Sequence, residues 1–473
     1  MSTPSLEDFS FFGFDGLMAR IKRNLQHAEI RSGEPGVTVF EEAVYVPAEQ
    51  SGLQQRQRGM LVRDFARADP GTVEPTATIT EEVVYLGWLF DHYGHFLTRS
   101  LARTWFLPQV DPSIRVIFHH PSRAGWKPTG RMLQILQVFG VPQERILTLD
   151  APTRVRRMIV PEPLFEPRST AEDRTVRAHV TMARPYQAVA ERIAGDVRPS
   201  SQPVYLSRRL LSSSQRSIIG EGALEEVLAA NGFRIAHPQT MSFEEQVRLV
   251  NDHEDILAPA GSAVHNAWFC LHRPRLHLLT NGHLFSPDYF LLSPLVGAAT
   301  SFINCLGTAG RRDFPRAFKF APQMLDASAC IAYLDQRGFL TKPVPADQFA
   351  HAPELQAQYD HVWLYGYVRG VGLRGELPAD VEHAALRLAS SSWPVSLALA
   401  WYSTANEPAR VDGLARQFAT LVAAERHPDR LEHYLGDVAE MAPAVVRLSE
   451  PDTAKVLLDV LAERFRIGVK LSG

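Results

Sequence analysis

From Pro203 to Thr280, strand-like and helix-like segments alternate at a spacing that βαβ units accommodate. The run "PVYLS" (203–207) carries β-branched Val204 and aromatic Tyr205. "GALEEVLAANG" then sets Leu224, Val227 and Leu228 at helical spacing, with Gly232 as the stop. "FRIAHP" reads as a second strand. Ser242 with Glu245 three residues on forms a capping box, the hydroxyl accepting from a first-turn N–H while the carboxylate reaches back to the cap residue, and opens a helix through about Asn251. "DILAPAG" is a third strand ending at Gly261, "AVHNAWFCL" a short helix, and "RLHLLT" (275–280) a fourth strand. Such alternation implies a parallel sheet covered on both faces.

Upstream the rhythm is similar. "EEVVYLGWLF", "RVIFHH", "ERILTLD" and "RRMIVPEP" read as strands, with the amphipathic "GHFLTRSLARTWFL" and the helix "GRMLQILQVFG", closed by Gly140, between them. A helix-like stretch over 172–195, which Pro185 kinks or splits, leads into "GDVRPSSQP", the best linker in the chain. After about Pro343 the pattern turns mostly helical. The expected division is therefore an N-terminal α/β domain over 1–198, a Rossmann-like domain over 199–340 and a helical region over 341–473. Two α/β halves suggest a cleft, with ligands at the carboxyl ends of strands.

Charge and cysteine content narrow the function. The net charge of −3 over 473 residues argues against binding nucleic acid through overall charge, so any positive site is local. The three cysteines are far apart and show no CxxC spacing, which fits a reducing compartment. The N-terminus does not read as a secretory signal, and no apolar stretch approaches the ~20 residues needed to cross a bilayer. A cytoplasmic protein is expected, with peripheral association at the inner face of the membrane left open.

Three stretches could carry chemistry. "VYLSRRLLSSSQR" (204–216) places Arg208, Arg209 and Arg216 among serines at a strand end, with Glu221 at the next helix. Guanidinium forks and hydroxyls suit a diphosphate. The Glu221 carboxylate better suits sugar hydroxyls. The bland reading is a solvated loop. "APAGSAVHNAWF" (258–269) offers Gly261 and Ser262 for close backbone approach, and His265 and Asn266 as donors on the following turn. "FDHYGHFLTRSLAR" brings Asp91, His92 and His95 within five positions, where a carboxylate or imidazole could take a proton from an incoming hydroxyl. No third metal ligand accompanies the two histidines, and neither an Asp-x-Asp triplet nor a GxxxxGK[ST] loop occurs. His119, His120, His272, His277 and His283 read as surface or satisfied core residues. "GVGLRG" (370–375) reads as a chance match, since Pro378 would interrupt the helix that a dinucleotide fingerprint opens.

Taken in order, "FDHYGHFLTRSLARTWFL", "VYLSRR" with Arg216 and Glu221, "SFEEQV" and "ILAPAGSAVHNAWF" resemble the catalytic domain of glycosyltransferase family 61 over about residues 80–310. The resemblance implies a GT-B-like pair of Rossmann-type domains. It also implies inverting, metal-independent transfer from a nucleotide-sugar substrate to a glycan acceptor, in bacterial relatives commonly for capsule or exopolysaccharide assembly. No cofactor and no nucleic-acid partner are implied. By position, Arg208, Arg216 and Glu221 match the donor-side pattern, Gly261 and Asn266 the "hG…N" pattern, and His95 the acceptor-side "HFL" histidine. The chain departs from the family at Gly220, where relatives usually have Asn, and at Ala260, where they often have His. It departs again at Arg99, where an acid commonly stands four residues after the "HFL" histidine. An arginine cannot serve as the base, which leaves Asp91, His92 or His95 to substitute. The competing expectation is a sugar-nucleotide or glycan-binding protein without turnover.

Overall fold

The four strands read between Val204 and Thr280 pair in register and in parallel, and two further strands complete their sheet. A computed structural model of the chain describes residues 4–47, 74–120, 128–167, 175–211, 218–282, 286–307, 322–345, 349, 352–371, 375–426, 431 and 434–467. The sheet runs Phe9–Phe12, Ala299–Asn304, Arg275–Thr280, Asp255–Pro259, Val204–Leu206, Arg234–Ala236, with every neighbour parallel. Strand order reverses between Val204–Leu206 and Asp255–Pro259, which makes the carboxyl ends of these two strands the topological switch point of a doubly wound sheet.

A second sheet of five strands holds Val37–Tyr45, Thr153–Pro161, Ala77–Trp88, Arg115–His119 and Ile146–Leu147 in that order. Only its first pair is antiparallel. A small sheet of Ala28–Arg31, Val176–His179 and Phe165–Pro167 lies in the same unit. Both large sheets belong to one compact unit, Met1–Leu206 with Gly232–Asn304. Val84, Val116 and Phe118 of one sheet and Leu206, Ile256 and Phe302 of the other fall in a single apolar core. Within this core Tyr186 meets Phe139 and Phe269 edge-on.

Two local readings change. Val176–His179, expected as helix, is a strand, and the helix begins only at Arg184. Pro185 sits in its first turn, where a missing N–H removes no helical bond. The segment read as a linker is tied down: the Ser200 N–H donates to the Asp252 carbonyl at 2.7 Å, and the Glu254 N–H donates to the Ser200 carbonyl at 3.0 Å. The Ser242–Glu245 capping box forms as read, at 3.2 Å and 2.7 Å.

The second unit, Ser207–Asn231 with Cys305–Gly473, is mostly helical. Its helices include Ala352–Val371, Ala379–Ala389, Trp393–Asn406, Val411–Ala424, Leu435–Leu448 and Pro451–Phe465. They bury Trp363, Trp393, Phe418 and Leu461 in a core of their own. Inside it the Tyr365 hydroxyl donates to Asp437 at 2.6 Å, and Arg369 pairs with the same carboxylate at 2.9 Å. Gly370 and Val371 close a helix, so a helix rather than a strand precedes the rest of "GVGLRG", of which residues 372–374 lie outside the described residues. Among the described residues, no helix is long and apolar enough to cross a membrane.

Two histidines are committed to the core of the first unit. The fully buried His119 ring donates from Nε2 to the Val46 carbonyl and accepts at Nδ1 from the Tyr85 hydroxyl, and burial lowers its pKa to about 4. His277 Nε2 donates to Asp255 Oδ1 at 2.9 Å, beside Arg275, which forks onto both oxygens of the same carboxylate at 2.7 and 2.6 Å. Burial alone would raise the Asp255 pKa, but these donors outweigh it and hold the carboxyl well below the usual range. The stabilisation is therefore complete above the unfolded-state pKa of about 3.9 and is lost as pH falls toward the folded-state value. Arg275 is half exposed, which sets a modest magnitude. Asp255→Asn is expected to cost about 2 kcal/mol at pH 7. Urea titrations should show the gap between variant and wild type narrowing below about pH 4, and a gap that stays constant into acid would contradict the assignment.

Candidate functional site

Two strand ends of the first unit converge on one group of polar side chains. After Ala77–Trp88 the chain passes Phe90 and Asp91 into a helical segment capped by His92. One α-turn, Tyr93–His95, is followed by a five-residue π-helical stretch, Phe96–Ser100. Such wide turns are uncommon and often mark functional positions. Here the stretch buries Phe96, Leu97, Thr98 and Ser100 in the core while His95 and Arg99 stay partly exposed. From Asp255–Pro259 the chain passes Ala260 and Gly261 into a 3-10 helix, Ser262–Phe269. Gly261 is fully extended, with φ −175°, a conformation open to any residue.

The segments meet closely at Gly94. A side-chain carbon there would lie 3.0 Å from His265 Cδ2 and 3.1 Å from Ser262 Oγ, so only glycine fits without displacement. His92 Nε2 lies 3.5 Å from Ser262 Oγ. The His92 and His95 rings are 4.8 Å apart, and His95 meets Phe90 edge-on at 5.8 Å. The Arg99 guanidinium sits over the Phe90 ring at 5.6 Å. His265 stacks on Tyr289 at 5.8 Å. Burial lowers the His265 pKa to about 4; the Asp288 charge opposes this, and the charges of His92 and Arg99 reinforce it. His265 is thus a neutral imidazole at physiological pH. Burial likewise lowers the Arg99 pKa from its ordinary value, against the Asp288 carboxylate.

A second set of contacts fixes the two segments. Asn266, 2% exposed, donates from Nδ2 to Gln246 Oε1 at 2.9 Å and accepts at Oδ1 from the Tyr93 hydroxyl at 2.7 Å. Gln246 Nε2 donates in turn to the Pro238 carbonyl at 2.8 Å. Asn266, read from sequence as a ligand donor, therefore spends its polar atoms on positioning Tyr93. Sequence reasoning did not single out Tyr93, Gln246, Asp288 or Tyr289. Gln246 falls inside "SFEEQV", where a buried amide on an otherwise apolar helix face is the only sign available.

Arg208 and Glu221, read from sequence as donor-side residues, belong to the second unit. Glu221 opens the helix Glu221–Ala230 and is 2% exposed. Its Oε1 accepts from the Arg208 N–H at 2.8 Å, and the Ser207 hydroxyl bonds to Glu225. Arg209 pairs with Glu225 at 3.2 Å and reaches over Gly222. These two acids hold the start of the loop, a role sequence reasoning did not give Glu221, and it missed Glu225 altogether. Gly220 has φ +93°, the left-handed region that glycine enters most readily. Arg208 is partly exposed. Arg216 lies outside the described residues.

Among the described residues, no three His, Cys, Asp or Glu side chains gather as metal ligands. No curated protein matches the chain. Residues 93–275, which carry Tyr93, His95, Arg99, Arg208, Arg216, Glu221 and Gly261 through Asn266, match the family model described as Glycosyltransferase 61, the family that the sequence resembles.

Proposed function

We propose that the protein is an inverting glycosyltransferase that moves a sugar from a nucleotide-sugar donor to a glycan hydroxyl without a divalent cation, on a GT-B-like fold, in capsule or exopolysaccharide assembly. The observation that carries the reading is the meeting of His92, His95 and Ser262 at the carboxyl ends of parallel strands from two sheets, within or directly beside the segment that matches a glycosyltransferase family. Inverting transfer needs a base at the acceptor hydroxyl and positive charge on the leaving diphosphate. His95 or His92 supplies the first. Arg208 and Arg216 supply the second, in place of a metal ion.

A panel of nucleoside diphosphates and their sugars tests this by thermal shift, followed by donor hydrolysis and transfer assays. A chain that binds none of them is not a transferase of this kind. Arg208→Ala and Arg216→Ala are each expected to weaken nucleoside diphosphate binding about tenfold or more, as losing a charge-assisted hydrogen bond does, with little change in melting temperature. Unchanged affinity in calorimetry removes that arginine from the site. A second reading, a binding protein without turnover, is favoured by Arg99 at the position where relatives often carry an acid. Binding without hydrolysis or transfer would select it.

A further inference from the structure

Arg99 is partly exposed in the first unit, and the Asp288 carboxylate offsets the desolvation of its side chain only in part. Its Nε is buried and has no hydrogen-bond partner, its guanidinium lies over the Phe90 ring, and the Asp288 charge acts on it. His265, 7% exposed, leaves its buried Nδ1 unpartnered as well. Buried polar atoms in native proteins are nearly always paired. Two such atoms beside the candidate base histidines point to a ligand that completes them.

We propose that Arg99 recognises a carboxylate on the glycan acceptor, so that the acceptor is an acidic glycan containing uronic acid. The proposal rests on the transferase reading above. A guanidinium matches a carboxylate in a planar two-bond fork. The Phe90 ring under Arg99 gives a flat apolar surface that also borders His95, placing a bound sugar within reach of the base. Asp288 lies in the same field, so a monoanion suits the site better than a dianionic phosphate.

The test compares p-nitrophenyl β-D-glucuronide with p-nitrophenyl β-D-glucoside by calorimetry and saturation-transfer NMR on the full chain. Wild type is expected to prefer the glucuronide about tenfold or more, and Arg99→Ala to lose that preference, as removal of a charge-assisted pair does. Arg99→Lys should keep part of it. Equal affinity for the two glycosides in wild type, or a preference that survives Arg99→Ala, overturns the proposal. So does a loss of nucleoside diphosphate affinity in Arg99→Ala, which would place the arginine on the donor. Should Arg99→Ala not fold, the wild-type glycoside comparison and the Arg99→Lys variant decide the matter alone. Nucleotide binding without glucuronide preference sinks this proposal and leaves the transferase reading intact; glucuronide preference without nucleotide binding sinks the transferase reading, and with it the acceptor role of the site, and leaves only carboxylate binding at Arg99.

Discussion

His95→Ala is expected to lower sugar transfer by about 10²–10⁴-fold, the contribution typical of a positioned general base, while nucleotide-sugar affinity stays nearly unchanged. Five groups come into question for the role. Arg99 cannot accept a proton. His265 is neutral, but with a pKa near 4 it holds a proton too weakly to drive deprotonation of a hydroxyl near pH 7. Asp91 is exposed at the start of the segment, away from the packed contacts that fix an attacking geometry. His92 and His95 remain, 4.8 Å apart. His92 caps the helix and lies against Ser262, whereas His95 is the more sheltered and sits on the face it shares with Phe90. Parallel rate and affinity measurements on His95→Ala, His92→Ala and Asp91→Asn separate them. An unchanged rate in His95→Ala excludes it, and a larger loss in His92→Ala transfers the assignment.

The sheet was legible wherever local pattern and tertiary pairing agreed. "PVYLS", "FRIAHP", "DILAPAG" and "RLHLLT" each show a short apolar run closed by turn residues, and each became a strand of one parallel sheet. Phe9–Phe12 joins the same sheet beside Ala299–Asn304, nearly the whole first unit away along the chain, and no local pattern announces a pairing that distant. Val176–His179 reads as helix in the sequence because its few residues fit a helical period as well as an alternating one. Only pairing with Ala28–Arg31 and Phe165–Pro167 decides for strand. At the candidate site, histidines and arginines were visible as residue types. Their division of labour was not, because burial makes it: Glu221 through Oε1, and Asn266 through both its polar atoms, hold neighbours that only the fold supplies.

Gly94→Ala is expected to reduce transfer about 10–100-fold, in the range that an ångström of misplacement produces, while the protein still folds with a loss of about 1–3 kcal/mol from overpacking. The cause is steric. Gly94 is buried where the helical segment after Ala77–Trp88 packs on the 3-10 helix Ser262–Phe269. A methyl group would stand 3.0 Å from His265 Cδ2 and 3.3 Å from Ser262 Cβ, and neither neighbour can give way freely. His265 is held against Tyr289, and Ser262 begins a helix anchored through Asn266 to Gln246 and Tyr93. Displacement therefore passes to His92 and His95, which ride on the same turn as Gly94. The rate constant should fall more than nucleotide affinity, because the arginines proposed to hold the donor belong to the other unit. A melting temperature and a transfer rate both equal to wild type would mean that the two segments separate during turnover and that their contact at Gly94 positions nothing.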